Sequence, residues 1–130
     1  MEKLIRNSNQ VKQAIDFAGI GNNKIHPTDI DAVLEFNNKS LILFEVKKIG
    51  NNLPTGQKLV LERLVNSWHT KESIAIVVKH NFKDETIDIP LIKCWVRNYY
   101  VNGKWYSCNK PLKPFLNKLL EKWKIKKLTL

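Results

Sequence analysis

Cysteine is scarce in this chain of 130 residues: only Cys94 and Cys108 occur. Two thiols cannot build a disulfide framework, so the fold must rest on a packed core, and a reducing, cytoplasmic setting is expected. Glycine and proline number five each, too few for a low-complexity chain. No apolar run approaches the length of a membrane span, so no membrane partner is expected. The opening Met1-Glu2-Lys3-Leu4 lacks the apolar stretch of a secretory leader, and none is expected. The three histidines, His26, His69 and His80, fall in separate segments without the spacing of a zinc site. Cys94 and Cys108 lack Cys-x-x-Cys spacing and read as buried thiols. Nothing points to a small-molecule cofactor.

Acidic residues are also few. Twelve Asp and Glu stand against 22 Lys and Arg, a formal net charge of +10. That balance suits a polyanionic partner, above all nucleic acid. The excess is uneven: residues 110–130 carry seven lysines, Lys118 and Lys122 among them, against the single Glu121. Hydrophobic residues make up 43% of the chain, enough for one core, and a single domain over residues 1–130 is expected.

The pattern along the chain predicts an α/β fold. Val11, Ala14, Ile15 and Ala18 recur at helical spacing after a capping Asn7 or Ser8, predicting a helix to about Ile20. Ile30 to Phe36 and Ser40 to Val46 are apolar runs around Asn37-Asn38-Lys39, which reads as a β-hairpin. Both strands are apolar on both faces, so a central hairpin covered on both sides is expected. Thr55 is the expected N-cap of a helix from Gln57 to about Trp68, with Val60, Leu61, Leu64, Val65 and Trp68 inward. Ser73 to Val78 reads as a buried strand reached by a parallel crossover. Ile92 to Val101 and Lys104 to Ser107 flank Asn102-Gly103, a strong hairpin signal. Pro111 and Pro114 open a last helix with Phe115, Leu116, Leu119, Leu120 and Trp123 along one face. Together these elements predict a central mixed β-sheet flanked by helices.

The chemistry concentrates between Pro27 and Gln57. A three-residue hairpin loop would set Asp31 opposite Glu45 and Asp29 opposite Lys47, all four on one face. Facing carboxylates repel unless a cation neutralises them, and Mg²⁺ takes a couple of carboxylate oxygens together with water and phosphate oxygens. Lys47, on the face of Glu45, would orient an attacking water and offset charge developing on a phosphate. Gln57 opens the inward stripe of its helix, so its amide points back towards the hairpin. An acid-x-lysine tripeptide alone carries little weight; the acidic pair, hairpin, loop and helix around it give it meaning.

In this context Pro27-Thr28-Asp29-Ile30-Asp31, followed fourteen residues after Asp31 by Glu45-Val46-Lys47 and then by Gln57, resembles the PD-(D/E)xK nuclease superfamily. It looks closest to small phage and archaeal Holliday-junction-resolvase-like members. The likeness covers about residues 8–80, with the second hairpin and basic helix, residues 92–130, beyond it. It implies a restriction-endonuclease-like core and Mg²⁺-dependent hydrolysis of DNA phosphodiesters, with Mn²⁺ as a substitute metal. By motif position it makes Asp31 and Glu45 metal ligands, with the carbonyl of Val46 completing the shell. Lys47 becomes the catalytic lysine, and Gln57 matches a glutamine at the start of the following helix. Asp29 stays an alternative ligand, because Pro27 precedes Asp29 by two residues and Asp31 by four. The family's first-helix glutamate is unassigned; Asp16 and Glu2 are the nearest acids.

The resemblance also implies a homodimer, since cutting two strands takes two sites. Lys48, Lys58, Lys118 and Lys122 are expected to neutralise backbone phosphates. The substrate stays open among junctions, flaps, single strands and duplexes. A catalytically inactive module that binds nucleic acid or protein on the same fold is the alternative. Trp95, Tyr99, Tyr100, Trp105 and Tyr106 crowd the second hairpin, where aromatic packing across strands and stacking on unpaired bases are both open.

Overall fold

The computed structural model of the chain describes residues 15–126, 128 and 130. The chain divides into two compact units between Asp29 and Ile30. The described part of the first, residues 15–29, holds turns and irregular backbone. The expected first helix therefore does not run to Ile20, and its residues up to 14 lie outside the described ones. Local side-chain bonds compete with helix here: Asp16 Oδ1 accepts from the Ala18 N–H at 2.9 Å, and Asn22 Oδ1 accepts from the N–H groups of Lys24 and Ile25 at 2.8 Å each. Gly19 and Gly21 take positive φ, outside helical geometry.

The second unit is a five-stranded mixed sheet with one helix on each face. Strands β1 (Ala32–Phe36), β2 (Ser40–Lys48), β3 (Ser73–His80), β4 (Trp95–Val101) and β5 (Lys104–Pro111) lie side by side in chain order. Helix α1 (Thr55–Ser67) joins β2 to β3, the sole parallel pair; the other neighbours are antiparallel. The predicted fold class is thus observed. Helix α2 (Leu112–Lys122) follows β5.

Strand alternation splits the core into two layers. Ile42 and Phe44 of β2, Ile74, Ile76 and Val78 of β3 and Val96 of β4 pack with Leu112, Leu116 and Trp123 of the C-terminal segment. Leu41 and Leu43, Ala75 and Tyr100 pack on the other face with Leu61 and Val65 of α1. The apolar run Leu41-Ile42-Leu43-Phe44 feeds both layers, so β2 is buried on both faces.

Four local expectations need correction. β1 is an edge strand, with Val33 52% exposed, where a strand covered on both faces is expected. Thr55 is the first residue of α1 rather than its cap; Pro54, at φ −59° and ψ 147°, occupies the cap position. Leu64 is exposed, because inward positions of α1 recur every fourth residue, at Leu61 and Val65. The second hairpin also shifts: Leu91–Lys93 form a 3-10 turn, β4 starts at Trp95, and β5 runs on to Pro111.

Candidate active site

The hairpin turn sets the register of the site. Asn37 and Asn38 both take positive φ, 51° and 62°, and the Lys39 N–H donates to the Phe36 carbonyl at 2.9 Å. The Lys39 carbonyl leaves the ladder, accepting from the Trp68 indole N–H at 2.9 Å and from the Thr70 hydroxyl. Phe36 therefore pairs with Ser40, and the ladder runs back to Ala32 opposite Phe44. This is the register expected from a three-residue loop, and the ladder ends at Ala32, one residue short of Asp31.

Asp31 is an exposed bend residue just before β1. Even-numbered residues of β2 direct their N–H and C=O towards β1. The β1 ladder stops at Ala32, so Val46 reaches beyond it, and Asp31 Oδ2 accepts the Val46 N–H at 2.7 Å. The Val46 carbonyl points to the same edge. A main-chain bond thus holds the Asp31 carboxylate at the open end of the hairpin. Asp29 is exposed and is the last residue of the first unit.

Glu45 and Lys47 follow Leu41 and Leu43 on the α1 face of β2. Glu45 is only 3% exposed and Lys47 is half-buried. Burying a carboxylate costs several kcal/mol unless its surroundings compensate, roughly in the range seen for ions in real proteins. A buried glutamate after four apolar residues is a break in local pattern of the kind that gathers at functional sites. Gln57 lies four residues before Leu61 and eight before Val65, on the sheet-facing stripe of α1. Its Oε1 is buried and has no hydrogen-bond partner among the described residues. A buried acceptor in that state calls for a donor.

Not every expected phosphate contact belongs here. Lys58 is exposed on α1, but Lys48 alternates to the opposite face from Lys47. Lys118 and Lys122 are exposed on α2, the layer on the far side of the sheet. A ligand seated at Glu45 and Lys47 is separated from those three lysines by the sheet.

The sequence reading missed a cleft beside the pair. It has a volume of about 200 Å³ and is lined by Asn52, Leu53, Lys58, Val77, Lys79, Asn98 and Trp105. Lys79 pairs with Lys47 and Val77 with Glu45 in the parallel β2–β3 register, and Val77 in turn pairs with Asn98. Lys79 had a legible signal: it ends the run Ile74–Val78 as Lys47 ends Leu41–Val46. Asn98 had none, because a register shift between Val77 and Val78, opposite Arg97, sets which face it takes.

The ammonium of Lys58 sits 5.4 Å from the Trp105 ring centroid, a contact worth about 0.5–1 kcal/mol when exposed. Tyr100 packs against the same indole at 5.3 Å, while Tyr99 packs on Phe115 at 5.0 Å and stacks on Tyr106 at 5.2 Å. Packing therefore accounts for Tyr99 and Tyr100, and Trp95 stays 45% exposed. Burial raises the Cys94 thiol above its ordinary value, and raises the Tyr99 phenol with smaller contributions from Cys108 and Tyr106. Comparisons with protein-family models, with curated proteins and with solved structures find no match.

Proposed function

We propose that this chain is a Mg²⁺-dependent endodeoxyribonuclease. The observation that carries the reading is the bond that holds the Asp31 carboxylate to Val46, the residue between a buried Glu45 and Lys47, which share one face of β2. The residues present fit a divalent cation. Mg²⁺ keeps several waters and is held through one or two carboxylates plus substrate phosphate. Asp31 and Glu45 would hold it with the Val46 carbonyl, and the bond from the Val46 N–H orients the Asp31 carboxylate. The buried Oε1 of Gln57 would accept from a metal-bound water. Once bound, the ion supplies Lewis-acid polarisation of the phosphoryl oxygen and a lowered pKa for its water.

The chain's own residues do the remaining work. Lys47 orients the attacking water and offsets the charge that develops on the phosphate. Lys58 and Lys79 hold flanking phosphates and carry no sequence information. Cutting both strands of a duplex takes two copies of the chain, which light scattering of the DNA complex would register as a dimer.

Cleavage of supercoiled plasmid, linear duplex, single strand and a four-way junction, each with Mg²⁺, Mn²⁺ or EDTA, tests the reading. Metal-dependent cutting that disappears in Glu45→Gln is the expected result, and cutting that persists in that variant would overturn it. The second reading is an inactive module that binds nucleic acid or protein on the same fold. That module would bind DNA equally in EDTA and after Glu45→Ala, and would cut no member of the panel.

A further inference from the structure

The cleft beside Glu45 has a composition that backbone neutralisation does not account for. Two lysines would suffice to hold a phosphate. This cleft adds two carboxamides, Asn52 and Asn98, and the indole of Trp105. A carboxamide offers a donor and an acceptor side by side, the pattern that reads a base edge. An indole offers a stacking face. The Trp105 Nε1 is buried and unpartnered among the described residues, so the ring is held by packing rather than by its own polar group.

Position supports the same conclusion. Lys79 lies one strand from Lys47, and Asn98 lies two strands from Glu45 along one cross-strand row. At about 4.8 Å per strand the cleft begins about 5 Å from the catalytic lysine and reaches about 10 Å from the buried glutamate. That is the neighbourhood of the nucleotide next to a phosphate held at Asp31 and Glu45. Lys47 and Lys79 are also like charges at one level on one face of parallel strands, a repulsion that an anion between them relieves.

We propose that this cleft holds one unpaired nucleotide of the DNA strand adjoining the scissile phosphate. Its phosphate lies against Lys58 and Lys79, and its base against Asn98, Asn52 and the Trp105 ring. The proposal rests on the nuclease reading and narrows it: the substrate strand is single or locally unpaired at the site. In the unliganded protein the ammonium of Lys58 covers the indole face. Stacking of a base on an aromatic ring exceeds an exposed ammonium–indole contact, so Lys58 moves from the ring to the phosphate as the base arrives. A base inside a duplex cannot enter without unpairing, so paired DNA binds this cleft weakly.

The test is binding of fluorescent (dT)6 in EDTA, where no cleavage occurs, with a blunt 12-base-pair duplex and inorganic phosphate as comparisons. The Trp105 indole N–H resonance, assigned with Trp105→Phe, serves as the local probe. The expected results are that (dT)6 shifts this resonance while duplex and phosphate leave it in place, and that Asn98→Ala weakens (dT)6 about tenfold. Lys79→Gln should lower the slope of log affinity against log salt by about 0.7, one phosphate contact on a single strand. Thermal melting of each variant separates lost binding from lost folding. Affinity for (dT)6 within twofold of wild type in both folded variants would overturn the proposal. A resonance shifted as strongly by inorganic phosphate alone would also overturn it, leaving an anion site. If the wild type binds (dT)6 as described but cuts nothing with Mg²⁺ or Mn²⁺, the nuclease reading fails and the cleft stands.

Discussion

Asp31 has two duties at the residue scale, and substitutions can separate them. Its Oδ2 takes the Val46 N–H where β1 ends, and its charge lies exposed at the open end of the hairpin. Asp31→Asn keeps an acceptor for that N–H, so it should melt in urea within a few tenths of a kcal/mol of wild type while losing metal-dependent cleavage. Asp31→Ala should lose both, with a stability cost of about 1 kcal/mol for the missing hydrogen bond. Equal stability of the two variants would show that the bond to Val46 contributes nothing. The Cys94 thiol and Tyr99 phenol make a different prediction. Both are raised above their ordinary values of 9.0 and 10.0, chiefly by burial. The unfolded chain releases these protons at lower pH than the folded chain, so it binds fewer protons there and unfolding is favoured as pH rises. Stability should hold up to about pH 9 and decline beyond it, and Cys94→Ala should shallow the decline. Ellman's reagent at neutral pH should label Cys108, which is half-buried, well before Cys94, which is fully buried.

Turn chemistry and periodicity made most of the elements legible. Asn102-Gly103 marks a hairpin because both positions need positive φ, and they show 52° and 77°. A β-branched side chain cannot take that conformation cheaply, so Gly103→Val should cost about 1–2 kcal/mol in urea unfolding. The asparagine pair Asn37-Asn38 works in the same way, and the following Lys39 makes the loop three residues long. That one residue sets the pairing of Ala32 with Phe44 at the open end of the hairpin, since a slip of one reverses every side chain. The edge position of β1 was not legible, because an apolar run looks the same in a central strand and at a rim. Nor was the helical cap: Thr55 is a favourable capping residue, yet Pro54 already has the fixed φ that the cap position requires.

Layering decides what the charge of the whole molecule can do. Lys48, Lys58, Lys118 and Lys122 are all expected to neutralise phosphates, but α2 covers one face of the sheet while Glu45, Lys47 and the cleft open on the other. Lys118→Gln with Lys122→Gln should therefore weaken long duplexes, lower their salt dependence by about two phosphate contacts, and leave the affinity for (dT)6 unchanged. Glu45 and Lys47 were readable from the sequence as neighbours on one face of a strand, because alternation along a strand is arithmetic. Lys79, Asn98 and Trp105 were not, because they reach the site through strand order and a bulge that no local pattern encodes.

The most direct test of the account is the initial rate of supercoiled-plasmid nicking with Mg²⁺, for wild type, Glu45→Gln and Lys47→Ala, beside their affinities for the same DNA in EDTA. The account predicts cutting by the wild type, a loss of about 10²-fold or more in each variant, and affinities within a fewfold of one another. Unchanged nicking in Lys47→Ala, or none by the wild type with any divalent cation, would contradict it.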